Sequence, residues 1–170
     1  MEESRYTKLT EFAKELLQKR SLEEGLPLIA KYAKDVIGAE RCSVFMYESR
    51  QNRLWTPIAD GVDKITIAAD EGLVGYTIKV KKPVIANDAY GHEAFLVAVD
   101  KRTGYKTKNI VTAPIFDSNR KLIGVLELLN KEEGFDQEDL KFMIFFAHYV
   151  SGFLELLSTY VKGEDSHEDI

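Results

Sequence analysis

Between Leu9 and Leu17 the apolar residues Leu9, Phe12, Ala13, Leu16 and Leu17 recur at intervals of three and four, which gathers them on one face of a short helix. A second helical pattern carries Leu22, Leu26, Ile29, Ala30, Ala33 and Ile37. It opens with a Ser21–Glu24 capping box and stops at Gly38, and Pro27 is expected to bend it. From Arg41 the period shortens to two. CSVFMYES and RLWTPIAD flank the polar RQN as a hairpin, and KITIAAD predicts a third strand. GLVGYTIKVKK reads as a short helix and PVIAND as a strand. The stretch AYGHEAFLVAVDKRTGYKTKN is only weakly periodic and predicts a short helix inside a long connection, a length at which connections are often functional. IVTAPIFD and KLIGVLELLN form a second hairpin about SNR. A last helix starts near Asp136, where Asp136, Glu138 and Asp139 suit the positive end of a helix dipole.

This order predicts an α+β domain with a mainly antiparallel sheet of about six strands, terminal helices packed on one face and short helices or a lid on the other. Residues 1–20 read as an N-terminal helical extension, 21–160 as the domain and 161–170 as an acidic disordered tail. The last helix has two apolar stripes. One holds Leu140, Ile144, Ala147, Leu154 and Val161; the other holds Phe142, Phe146, Tyr149, Phe153, Leu156 and Tyr160. Two explanations stand: burial on both sides within one domain, or a homodimer seam formed by the second stripe, which is the expectation adopted.

Composition narrows the function. A length of 170 residues fits one domain, and a formal charge of -5 opposes a phosphate backbone, so no nucleic-acid partner is expected. The basic cluster Lys79, Lys81 and Lys82 reads as a solvated helix end. The single cysteine, Cys42, excludes an intrachain disulfide and a Cys-pair zinc site and suggests a reducing, cytoplasmic setting. No apolar run approaches the ~18 residues of a membrane span.

Catalysis has little to stand on. His92, His148 and His167 show no H-E-x-x-H spacing, Ser43 and Ser118 lack an esterase setting, and Cys42 reads as a core thiol. GLVG lacks the residues of a phosphate cradle. No catalytic residue, metal or cofactor is assigned. A binding pocket remains, with Asn87, Asp88, Thr103, Thr107 and Asn109 at the two ends of the weakly periodic connection. Glu127, a charge inside the apolar KLIGVLELL, sits either on a solvated strand face or in a pocket where it accepts hydrogen bonds from a ligand's N–H groups.

Two long stretches, GLVGYTIKVKKPVIANDAY and DKRTGYKTKNIVTAPIFDSNRKLIGVLELLNK, resemble the GAF domain, a small-molecule sensor module of cyclic-nucleotide phosphodiesterases, adenylyl cyclases, histidine kinases and transcription activators. Asn130, Lys131, Phe135 and Asp139 match a signature of its cyclic-nucleotide branch, with Leu140 in place of a glutamate. The resemblance implies a Lys131–Asp139 ion pair and a ligand site at Ser43, Asp60, Leu73, Val74, Thr103, Thr107 and Glu127. Ala59 and Leu96 stand where purine-binding members carry aromatics, which removes about 1 kcal/mol or more of stacking. The function implied is a non-enzymatic regulatory sensor for cAMP, cGMP or another small molecule, signalling through a helical homodimer to an output domain of a longer protein. The alternative is a ligand-free dimerisation or interaction module.

Overall fold

The computed structural model describes the backbone of residues 2–59, 66–95 and 105–165, with side chains 2–4, 22–23, 57–59 and 156–165 excepted. Two helices, α1 (Glu2–Leu16) and α2 (Leu22–Ile37), precede strands β1 (Arg41–Glu48), β2 (Arg53–Ala59) and β3 (Thr66–Ala68). Helix α3 (Gly72–Val80) and strand β4 (Val84–Ala86) follow, then β5 (Ile110–Phe116), β6 (Leu122–Leu129) and the long helix α4 (Gln137–Asp165). The strands form one six-stranded antiparallel sheet in the order β3-β2-β1-β6-β5-β4, the α+β arrangement expected from the periods. Asp60, Leu96 and Thr103, residues 60–65 and the helix expected in the connection lie outside the described residues. So do the side chains of Ala59, Leu156, Tyr160 and Val161, and residues 166–170; residues 161–165, expected in the disordered tail, instead continue α4.

Alternation along the central strands separates two faces. Cys42, Val44, Val111, Ala113, Ile115, Leu126 and Leu128 turn toward α2 and α4 and join Ile29, Ala33, Met143, Phe146 and Val150 in the main core. Full burial of each large side chain contributes about 1.5–3 kcal/mol, so this layer supplies most of the fold's apolar stabilisation. Helix α2 begins as its sequence dictates: the Ser21 hydroxyl accepts the Glu24 N–H at 3.3 Å, and the Glu24 carboxylate accepts the Arg20 N–H at 3.4 Å. It continues through Pro27 and closes at Gly38, whose φ of 89° is the left-handed cap that glycine adopts without strain.

The second stripe of α4 does not form an open seam. Phe142 and Phe146 are buried, and Phe12 of α1, itself fully buried, packs its ring 5.3 Å from Phe146 and 5.2 Å from Tyr149. Phe153 lies against Gly25 of α2. Phe142 and Phe146 of this stripe are covered within the chain because α1 folds back over α2 and α4, a partner that periodicity could not identify, while Tyr149 and Phe153 stay half-buried. Leu17, expected on the buried face of α1, lies past the end of that helix and is 87% exposed.

At the far edge β4 pairs only with Ile110–Thr112 of β5. Beyond it stand Pro114 and Phe116, and the Phe116 carbonyl accepts a hydrogen bond from the Ser151 hydroxyl of α4.

Candidate functional site

On the sheet face opposite the main core, register places three polar side chains side by side on the central strands. Ser43 of β1 is opposite Glu127 of β6, and Glu127 is opposite Thr112 of β5. All three are buried, Glu127 at 9% exposure. Along β6 the same face continues as Val125 and Leu129, so the carboxylate sits between apolar neighbours. The face toward Glu127 is therefore not the solvated strand face that sequence left open.

Helix α3 roofs this row. The Thr77 hydroxyl donates to the Leu73 carbonyl at 2.8 Å and lies 2.6 Å from the Thr112 hydroxyl. With its one proton committed, Thr77 accepts from Thr112, which orients the strand hydroxyl toward the helix. Leu73 and Val74 point down into two small apolar clusters flanking the polar row: Leu73 with Ala86, Ala89 and Ile110, Val74 with Phe45, Leu54 and Val125. The glycines of GLVG let the turn before α3 fold tightly against the helix. Gly72 takes a φ of 68°, and a Cβ on Gly75 would lie 2.7 Å from the Asp70 backbone carbon and 2.8 Å from the Ala69 carbonyl oxygen.

Thr107 is buried at 1% exposure in the irregular stretch 105–109 leading into β5. That stretch is tied down by asparagines. Asn109 exchanges two hydrogen bonds with the Lys131 backbone, both 2.8 Å, and Asn130 Oδ1 accepts the N–H groups of Lys108 at 2.6 Å and Asn109 at 3.2 Å. Asn130 sits at φ 59°, a left-handed position that asparagine tolerates better than most residues. Its Nδ2 donates to the Lys106 carbonyl and the Tyr105 hydroxyl, each at 2.9 Å. Burial and its own donation to Glu40 raise the Tyr105 phenol well above the ordinary tyrosine range.

Asn87 and Asp88 have other partners. Asn87 Oδ1 accepts the Phe135 N–H at 2.8 Å and Nδ2 donates to the Phe135 carbonyl at 3.0 Å, so its amide braces the β6–α4 connection. Asp88 is exposed and accepts the Gly91 N–H at 3.3 Å. The structure thus brings Ser43, Glu127, Leu73 and Val74 together, and it adds Thr77 and Thr112, which sequence reasoning missed; their signal was a hydroxyl inside an otherwise apolar run. Lys131 and Asp139 are buried and paired, Nζ lying 2.9 and 2.8 Å from the two carboxylate oxygens. Asp136 accepts the Asp139 N–H at 2.8 Å, and this bond above all holds the Asp136 carboxyl below its ordinary value, helped by the nearby Lys131 charge. Arg5 of α1 reaches Asp139 Oδ1 at 3.7 Å. Among the described residues no group of three or more His, Cys, Asp and Glu could hold a metal ion, and no helix is long and apolar enough to cross a membrane.

A family model described as the GAF domain matches residues 21–154. A probable 3',5'-cyclic phosphodiesterase of Caenorhabditis elegans is 27% identical over 144 residues, covering 76% of this chain and 20% of that protein. A dual 3',5'-cyclic-AMP and -GMP phosphodiesterase 11A of Takifugu rubripes is 30% identical over 122 residues, covering 62% and 14%. The chain therefore spans a fifth or less of the length of these relatives. Among solved structures, the GAF domain of an Acinetobacter phosphoenolpyruvate-protein phosphotransferase superposes with a TM-score of 0.80 at 20% identity, covering 94% of this chain and 98% of that one. A free methionine-R-sulfoxide reductase of Neisseria meningitidis, solved with its substrate, gives 0.73 at 18% identity with 86% of each chain covered.

Proposed function

The chain belongs to the GAF domain family, and on that premise we propose that residues 21–160 are a regulatory sensor that binds a small molecule over the polar row of the sheet, beside α3 and under the connection that ends in 105–109, with residues 1–20 as a docked helical extension and an acidic tail beyond the end of α4. The observation that carries this reading is Glu127: a carboxylate held at 9% exposure at the centre of the sheet, between Ser43 and Thr112, roofed by a helix. A buried carboxylate beside hydroxyls suits a ligand that presents amino or ring N–H groups together with hydroxyls or ether oxygens. Cyclic nucleotides have that chemistry, and two of the relatives are named for cyclic-nucleotide phosphodiesterase activity, so cAMP and cGMP are the first candidates. Ser43 and Glu127 form the floor, Leu73 and Val74 the apolar walls, Thr107 one rim; Asp60 and Thr103 complete the set carried over from the family.

The domain regulates rather than catalyses. Cys42 is fully buried on the helix face of the sheet, on the side away from the polar row. Occupancy would be transmitted through β6 and α4 to an output domain of a longer, cytoplasmic protein. With Phe142 and Phe146 buried within the chain, homodimer pairing would use the half-buried Tyr149 and Phe153 and continue along α4 to Leu156 and Tyr160.

Calorimetry with cAMP and cGMP tests the reading. A sensor binds at least one of them, and Glu127→Gln weakens that binding by about tenfold or more, as expected on losing a charge-assisted hydrogen bond. No binding by the native chain, or unchanged binding by Glu127→Gln, refutes the site and leaves a ligand-free interaction module.

A further inference from the structure

Among the described residues the stretch 105–109 pairs with no strand, though its Lys108 and Asn109 carbonyls accept the Ala89 and Asn130 N–H groups, and it holds buried Thr107, which the proposed site takes as its rim. Its attachment begins at Tyr105, where three parts of the chain meet. The guanidinium carbon of Arg41, at the start of β1, lies 3.6 Å from the centre of the Tyr105 ring. The Tyr105 hydroxyl donates to Glu40 at 2.8 Å and accepts from Asn130 at 2.9 Å. Glu40 is itself fixed, because its N–H donates to the carbonyls of Leu129 and Asn130 at the end of β6. Asn130 Nδ2 has two protons, and the Lys106 carbonyl and the Tyr105 hydroxyl, both at 2.9 Å, take them, leaving Glu40 at a longer 3.4 Å. Tyr105 therefore links a carboxylate from before β1 to an amide from after β6 while its ring is pinned by an arginine.

We infer that Tyr105 is a positioning residue for the ligand rim: held by Arg41, Glu40 and Asn130, it sets the path of residues 105–109 and hence the place of Thr107, without itself touching the ligand. The inference rests on the sensor reading for its functional consequence but not for its geometry. A stretch without ladder hydrogen bonds would otherwise lose conformational freedom when a ligand closes against it, and fixing it in advance removes that loss. The amides of Lys108 and Asn109 report the effect directly, since both donate to Asn130 Oδ1.

The experiment is hydrogen exchange at those two amides in the native chain and in Tyr105→Ala, Tyr105→Phe and Arg41→Gln, paired with calorimetry for cAMP and cGMP. Tyr105→Ala should speed exchange at Lys108 and Asn109 by about tenfold or more while the amides of β1 and β6 keep their protection. Tyr105→Phe and Arg41→Gln, each removing half of the attachment, should fall between. Affinity for the bound nucleotide should drop by about tenfold through faster dissociation. Unchanged exchange at these amides overturns the inference, as does loss of protection spread evenly over the sheet, or a loosened stretch with affinity intact. Should Tyr105→Ala fail to fold, the two milder variants carry the same comparison. If the native chain binds neither nucleotide the sensor reading fails, and the exchange pattern alone decides whether Tyr105 positions the stretch.

Discussion

Gly25 of α2 faces the ring of Phe153 of α4 so closely that a Cβ on Gly25 would lie 2.2 Å from the Phe153 Cζ. In an exposed helix interior a glycine-to-alanine change gains about 1 kcal/mol from helix propensity. Here the sign reverses. Gly25→Ala must push the ring or the helices apart, and overpacking of this kind costs about 1–3 kcal/mol. Urea unfolding should show the variant less stable, and a Gly25→Ala/Phe153→Leu double variant should recover part of the loss; an unchanged or higher midpoint for Gly25→Ala alone would refute the contact.

The Thr77–Thr112 pair predicts non-additivity. Thr77→Val leaves the Thr112 hydroxyl without its acceptor on α3 in a buried site, at a cost of about 1–3 kcal/mol. Replacing both threonines by valine removes both polar groups together and should cost less than the two single changes combined. A double-mutant cycle on unfolding free energies with no coupling would contradict the 2.6 Å contact.

The Lys131–Asp139 pair is buried on both sides, so deleting one partner strands the other. Asp139→Ala should destabilise the domain by about 3–5 kcal/mol, whereas Lys131→Met with Asp139→Leu should lie much nearer the native stability. Thermal unfolding of the three proteins decides; equal losses in the single and double variants would show that the pair does not act as a unit.

Asp136 makes an acid-limb prediction. Its folded carboxyl titrates below the ordinary 3.8, so its contribution to stability is fully present above pH 3.8 and is lost as pH falls through the lower folded value. Asp136→Asn keeps an oxygen to accept the Asp139 N–H but cannot titrate. The slope of unfolding free energy against pH below 3.8 should therefore be shallower in the variant; identical slopes would exclude Asp136 as a source of acid sensitivity.

The order of helices and strands was legible because hydrophobic period responds to local geometry, and the sheet followed from hairpins at RQN and SNR. Glu127 was legible as a charge within an apolar run, and Lys131–Asp139 from its signature. What escaped depended on distant partners. The stripe Phe142–Phe146 announced a contact but not its occupant, which is Phe12. Asn87 was placed at a pocket edge because its amide is polar, and the partner that amide grips, Phe135, lies 48 residues away. Thr77 and Thr112 escaped because a hydroxyl inside an apolar run is a weak signal until a second hydroxyl, 35 residues away, is placed against it.

The short reach of β4 has a consequence for solution behaviour. Past Thr112 the outer rim of β5 has no neighbouring strand among the described residues, the kind of rim along which sheets of separate molecules zip together into aggregates. Two of the groups there are unavailable for zipping: Pro114 has no N–H to give, and the Phe116 carbonyl is already engaged by Ser151. The edge is thus blunted by a missing donor and an acceptor already in use, which disfavours strand addition by another molecule there.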